Sequence, residues 1–185
     1  MPGMLRRTFL GSALAPPAKP NVLVLFTDDH RFNAIRALGD DQVHTPNLDR
    51  FIAQSTAFTR AFIMGGTIGA ICAPSRGMLN TGRSLFHVHE SIIQPSAKAT
   101  PFHMVGEELQ KAGYDAFHTG KWHIGPKLLN RAFNQGDNIF FGGMDSHVGT
   151  KVHSYDPSGK YPASAQRQPW SSVRCQWKTL SFTAS

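Results

Sequence analysis

The stretch ICAPSRGMLNTGR, residues 71–83, carries Cys72, one of only two cysteines in the 185-residue chain. Pro74 suits the first turn of a helix and Gly82 suits a C-terminal stop. Cys72 then stands at a helix start, and Arg76, four residues on, projects from the same face. A cysteine there meets backbone N–H groups and the positive end of the helix dipole. An anion held at Cys72 would meet Arg76 as well. A buried structural cysteine is the bland alternative, and spacing alone does not choose between the two.

Two further groups have the types that chemistry needs. Asp28-Asp29 places two carboxylates side by side, and such a pair is costly to bury unless a cation neutralises it. Hard oxygen ligands of this kind suit Ca²⁺ or Mg²⁺. A bare Asp-Asp is more often a solvated turn. Lys121-Trp122-His123 offers a cation and an imidazole, although singly these read as a surface lysine, a core aromatic and a structural histidine. His87 and His89, in HVHE, lack a second cluster at metal-site spacing and read as surface or substrate-rim residues. The other histidines, His118 among them, receive no role.

These groups share a context. NVLVLFT, residues 21–27, is a short apolar run rich in β-branched residues, and it predicts a strand buried on both faces just before Asp28. Thr45 and Pro46 open a helix whose apolar stripe is Leu48, Phe51 and Ile52. TAFTRAFI, residues 56–63, predicts a short strand. A glycine-rich loop through Gly65, Gly66 and Gly69 leads to Cys72. A second helix is expected to start at Thr100-Pro101 and to stop at Gly113. YDAFHTG, residues 114–120, predicts a strand running into Lys121, and residues 137–143 a further short one. Helices alternate with apolar strands, which indicates an α/β class with a mainly parallel sheet flanked by helices. In such sheets ligands gather where strands end, and all three groups sit there.

Cys72-Ala73-Pro74-Ser75-Arg76, with Thr81-Gly82-Arg83 behind it, resembles the C-x-P-S-R signature and trailing T-G-R of the sulfatases. KPNVLVLFTDDH resembles that family's first strand and metal-binding aspartates, and GYDAFHTGKWHIG its G-K-W-H-x-G loop. The three motifs stand in the family's order, and the resemblance runs over residues 19–160. The resemblance implies an alkaline-phosphatase-like fold and sulfuric ester hydrolysis. It implies that a separate maturation enzyme oxidises Cys72 to formylglycine, reading Pro74 and Arg76. The hydrated aldehyde is a geminal diol: one hydroxyl attacks sulfur and displaces the alcohol, and the other then expels sulfate. Asp28 and Asp29, with the oxidised Cys72, would hold Ca²⁺. Arg76 would stabilise the ionised diol, Lys121 would bind the sulfate oxygens, and His123 would hydrogen-bond the diol. The implied substrate is a small sulfate ester or a sulfated glycan.

The same resemblance exposes departures. The family takes a second pair of calcium ligands, another lysine and another histidine from far downstream, and no convincing equivalent stands here. Asp137-Asn138 has the right letters in the wrong context. From Tyr155 onward the chain is rich in Ser, Pro and basic residues. The expectation is an incomplete fold, a truncated or frameshifted product of weak or no activity, with an irregular divergent tail at 161–185. Rival readings are a phosphoester or phosphonate hydrolase of the same superfamily, a non-catalytic remnant, and a thiol redox protein.

Composition bounds the rest. The nominal charge is +7, with 19 Lys+Arg against 12 Asp+Glu. That balance suits anionic ligands. The basic residues are spread and lie partly at the ends, with no cluster and no stacking motif for nucleic acid. No apolar run is long enough to span a bilayer. Cys72 and Cys175 permit one disulfide at most. Residues 1–18 form an export-signal-like segment and linker: Arg6-Arg7 precedes a short apolar stretch ending in Ala13-Leu14-Ala15, the pattern of a twin-arginine signal. A periplasmic or secreted location is expected.

Overall fold

The computed structural model describes residues 19–67, 71–97, 101–145, 150–162, 166–167 and 178–184. The expected signal segment, Gly69, Thr100, His147 and Cys175 lie outside them.

The apolar run becomes strand β1 (Val22–Phe26). A short 3₁₀ turn (Arg36–Leu38) and helix α1 (Pro46–Ala53) follow, with Pro46 in the first turn as expected. Thr45 does not cap that helix through its side chain; its hydroxyl accepts from Arg36 N and donates to Asp49. Helix α2 (Cys72–Thr81) begins at the cysteine and ends at Gly82, which takes the left-handed conformation at φ 64°. Helix α3 (Leu85–Val88) runs into a π-helical turn (His89–Ile93). Helix α4 (Val105–Lys111) and strand β2 (Tyr114–Lys121) come next, then helix α5 (Pro126–Ala132) and strand β3 (Gln135–Phe140). Strands β4 (Lys151–Val152) and β5 (Gln166–Arg167) form a small antiparallel pair, and β6 (Lys178–Ala184) closes the order.

The main sheet has the order β1-β6-β2-β3. Strand β3 is parallel to β2, and β6 is antiparallel to both β1 and β2. Strands β1, β2 and β3 therefore share one direction, as the α/β reading expects, while β6 between them makes two of the three neighbouring pairs antiparallel. The core is built from Met104, Ala116, Trp122, Ile124, Leu129, Ala132, Phe133 and Ile139. Helices α4 and α5 cross backbone to backbone: a Cβ on Gly106 would sit 2.0 Å from the Ala132 carbonyl oxygen. Among the described residues, no helix is long and apolar enough to cross a membrane.

Four expectations need correction. The strand foreseen at 56–63 is absent. That segment is a turn and irregular backbone, with Phe58 82% and Phe62 89% exposed. Its threonines, phenylalanines and isoleucine suit a strand, but the segment has no partner strand among the described residues, and pairing, not propensity, makes a strand. The second helix starts at Val105, beyond Pro101. There Met104 supplies the cap position, and its N–H donates to the Glu107 carboxylate at 2.8 Å. Strand β1 is not covered on both faces: Val22 and Val24 pack toward the core while Leu23 and Leu25 are exposed. The segment 161–185 is not irregular throughout, because β6 lies inside the sheet. KTLSFTA is rich in threonine with a phenylalanine, types that suit a pleated strand, and its backbone fills the slot between β1 and β2 in register, Val24 opposite Leu180 and His118 opposite Leu180.

Candidate active site

Asp28 and Asp29 leave the end of β1, where the chain turns out of the sheet and Asp29 takes a positive φ of 50°. That conformation is tolerated by aspartate better than by most side chains. Cys72 is the first residue of α2 and is half-buried, outside any disulfide. The ligand atoms of Asp28, Asp29 and Cys72 all lie within 4.8 Å of one another. This is the span of two oxygen ligands on opposite sides of a Ca²⁺ at about 2.3–2.6 Å from each. The two exposed carboxylates offer the oxygen ligands that a hard divalent cation takes, and the Cys72 sulfur, a softer ligand, stands beside them.

Cationic groups close the other side. Lys121, at the end of β2, is 5% exposed and its Nζ donates to Asp28 Oδ2 at 2.9 Å. Arg76 is 4% exposed and its Nη2 lies 3.9 Å from Asp28 Oδ1. Its Nη1 donates to the Lys121 carbonyl at 2.6 Å, so α2 is tied to the end of β2. The guanidinium also lies over the Phe26 ring, 5.2 Å from its centroid. Burial lowers the Arg76 pKa, while the charges of Asp28 and Cys72 oppose that shift. One arginine thus touches the last residue of β1, the aspartate beyond it, and the backbone of β2.

Lys121 ends β2 beside an irregularity of the strand. Ala116, His118 and Trp122 are buried in one alternating phase, and Lys121 is buried as well, out of that phase. Gly120, just before it, takes a positive φ of 90°. Opposite it, β3 carries an extra residue, and the register shifts between Thr119 and Gly120. Bulges of this kind re-aim side chains beside active sites.

Beyond Lys121 the loop is pinned by Trp122, which is 1% exposed and whose indole Nε1 donates to the Gly125 carbonyl at 2.7 Å. His123 follows with φ 66°, a left-handed conformation that is uncommon for histidine and costs free energy. Its imidazole packs on Gly143, where an added Cβ would lie 2.9 Å from Nε2.

The six residues singled out by motif divide as follows. Asp28, Asp29, Cys72, Arg76 and Lys121 converge from three separate elements. His123 stands two residues past Lys121 in the same loop. His87 and His89 lie on the α3 rim, His87 against Ser84 and His89 against the Thr67 hydroxyl at 2.8 Å. Asp137 and Asn138 sit in β3, where the Asp137 carboxylate accepts from the Asn138 amide and from the Ser154 hydroxyl. Sequence reasoning missed Phe26 and His118. Phe26 could have been found as the last apolar residue before the aspartates. His118 gave no signal beyond its place in a strand.

The family model for Sulfatase matches residues 20–171. The chain is similar to N-acetylgalactosamine-6-sulfatase of Homo sapiens, 31% identical over 151 residues, which are 74% of this chain and 28% of that protein. It is similar to arylsulfatase A of Homo sapiens, 31% identical over 145 residues, 75% of this chain and 28% of that protein. It is also similar to N-acetylglucosamine-6-O-sulfatase of Bacteroides thetaiotaomicron, 30% identical over 112 residues, 57% of this chain and 18% of that protein. The chain thus spans less than a third of the length of these relatives. No solved structure gave a significant match.

Proposed function

The chain belongs to the sulfatase family, and on that premise we propose that it carries the nucleophile half of a site that hydrolyses sulfate esters. The observation that carries the reading is the convergence of Asp28, Asp29 and Cys72 within 4.8 Å, with Lys121 and Arg76 on the same carboxylate. Ca²⁺, when bound there, supplies positive charge for the sulfate and for the ionised hydroxyl of residue 72. Formylglycine, once formed from Cys72, supplies a geminal diol, with one hydroxyl for attack on sulfur and the other for release of sulfate.

The chain's own residues do the remaining work. Asp28 and Asp29 present carboxylate oxygens from a turn fixed by β1. Lys121 holds an ammonium where the sulfate oxygens arrive, and preorganised charge of this kind contributes about 3 kcal/mol per group in model cases. Arg76 keeps its charge beside residue 72 and fixes the Lys121 backbone. His123 offers an imidazole from a strained loop, suited to hydrogen-bonding the diol. Pro74 and Arg76 are buried in α2, so a maturation enzyme that reads them acts before the helix has packed. The names of the relatives point to sulfated amino sugars or aryl sulfates as the substrate class. Export through the twin arginine at Arg6-Arg7 fits such a substrate outside the cytoplasm. Replacing both arginines together, Arg6→Lys with Arg7→Lys, is expected to leave the protein in the cytoplasm, and unchanged export of that variant would count against the signal.

The test is to produce the full chain together with a formylglycine-generating enzyme. The Cys72 peptide is expected to show the mass change from thiol to aldehyde. The protein is then assayed on an aryl sulfate and on the matching aryl phosphate, with Ca²⁺ and after chelation. Conversion with Ca²⁺-dependent turnover of the sulfate supports the reading. Preference for the phosphate moves it to a phosphoester hydrolase. An unconverted thiol under these conditions overturns it.

A further inference from the structure

We propose that His118 is a positioning residue for Lys121, acting through the Gly120 peptide; the proposal rests on the reading of Lys121 as the sulfate-binding cation. His118 is 2% exposed and lies three residues before Lys121 on β2. Its Nε2 is 3.3 Å from the Gly120 carbonyl oxygen. A carbonyl only accepts, so Nε2 carries the proton, and Nδ1 is the bare nitrogen. Nδ1 is buried and has no hydrogen-bond partner among the described residues, as a neutral imidazole in this tautomer allows. The ring stands edge-on against Trp122, 5.2 Å between centroids, and tilted against Phe133 at 5.1 Å.

The bonded carbonyl belongs to the peptide that joins Gly120 to Lys121. That is where the strand passes through Gly120 at φ 90° and its register with β3 shifts, one residue before the buried Lys121. The next carbonyl, that of Lys121 itself, is held by Arg76 Nη1 at 2.6 Å. The backbone of Lys121 is therefore clamped on both sides, by His118 before it and by Arg76 after it. A glycine with φ 90° has little intrinsic preference for one orientation. The clamp selects the orientation that delivers the ammonium to Asp28. Burial holds the imidazole neutral, with its pKa pushed down to about 3, so the bond persists across the ordinary pH range.

The experiment uses the full chain in three forms: wild type, His118→Phe and His118→Gln. Phenylalanine keeps the ring packing and loses the donor; glutamine restores an N–H donor at a similar reach. Each is treated with a trace amine-acylating reagent, and labelling of Lys121 is read by mass spectrometry against exposed Lys127 and Lys151. His118→Phe is expected to raise relative labelling of Lys121 about tenfold, the equivalent of one lost hydrogen bond, and His118→Gln to stay within about threefold of wild type. In parallel, ¹⁵N imidazole shifts of the wild type are expected to show the Nε2–H tautomer, untitrated from pH 7 to 5. Unchanged labelling in the phenylalanine variant, or an Nδ1–H tautomer, overturns the proposal; the tautomer decides even if that variant does not fold. Inorganic sulfate is added in a separate arm. Failure of sulfate to protect Lys121 in the wild type counts against the sulfatase reading and leaves the clamp standing.

Discussion

A neutral imidazole sealed in a core has a consequence for stability. In the folded chain His118 stays unprotonated down to about pH 3 because burial disfavours its charged form, with the Arg76 charge adding to the effect. In the unfolded chain it takes a proton near pH 6.5. Below that value the unfolded state binds the extra proton, so stability falls as pH falls, by about 1.4 kcal/mol per unit between roughly pH 6.5 and 3. Urea unfolding at pH 7, 6 and 5 is expected to show this slope in the wild type and a shallower one in His118→Phe. Equal slopes would mean that water reaches the ring. His118 also marks a limit of the sequence. Asp28, Asp29, Cys72, Arg76 and Lys121 were legible because their types and spacing form motifs. The role of His118 depends on the positive φ of Gly120 and on a register shift against β3, and neither is written in the residues near it.

Among the elements, two glycines set how closely the helices approach, and they do so against different partners. A Cβ on Gly77 would lie 2.4 Å from Val88 Cγ1, so α2 rests on the valine side chain of α3. A Cβ on Gly106 would lie 2.0 Å from the carbonyl oxygen of Ala132, so α4 rests on the backbone of α5. Gly77→Ala is expected to cost about 1–3 kcal/mol by overpacking, partly offset by better helix propensity. Trimming the obstacle with Val88→Ala in the same chain should recover part of the loss. Gly106→Ala is expected to cost more, and no side-chain substitution on α5 should recover it, because the obstacle is a main-chain atom. Thermal unfolding of the two single variants and the Gly77→Ala/Val88→Ala double variant checks both statements. Recovery of Gly106→Ala by a side-chain change would show that the helices can slide apart. The helix starts themselves were only partly readable. Pro46 and Pro74 sit in first turns as expected, whereas α4 begins beyond Pro101, where the Glu107 carboxylate can accept the Met104 N–H. Helix α5 was not foreseen, although Gly125-Pro126 before an apolar pair is a start signal.

At the scale of the whole molecule, the site depends on a strand that no feature of the residue pattern placed in the sheet. Strand β1 carries Asp28 and Asp29 just past its end, and β2 carries Lys121 at its own end. Within the described sheet the two are joined only through β6, which pairs with both. The tail was hard to place because a central strand normally announces itself by an apolar run buried on both faces, and KTLSFTA is mixed. Its place follows from the backbone slot that β1 and β2 leave between them. Removing residues 178–185 should therefore act at a distance. Without β6, β1 is held by Val22 and Val24 on the core, by the Phe26 contact to Arg76 and by the Asp28 pair with Lys121. An exposed ion pair contributes little, and the Asp28–Lys121 pair is only partly shielded. Amide hydrogen exchange is expected to show loss of protection over Val22–Phe26 in the shortened chain, with Phe117–Thr119 keeping the bonds they make to β3. Protection of β1 unchanged by the deletion would mean that the contacts around Arg76, and not the sheet, hold the two aspartates opposite Lys121.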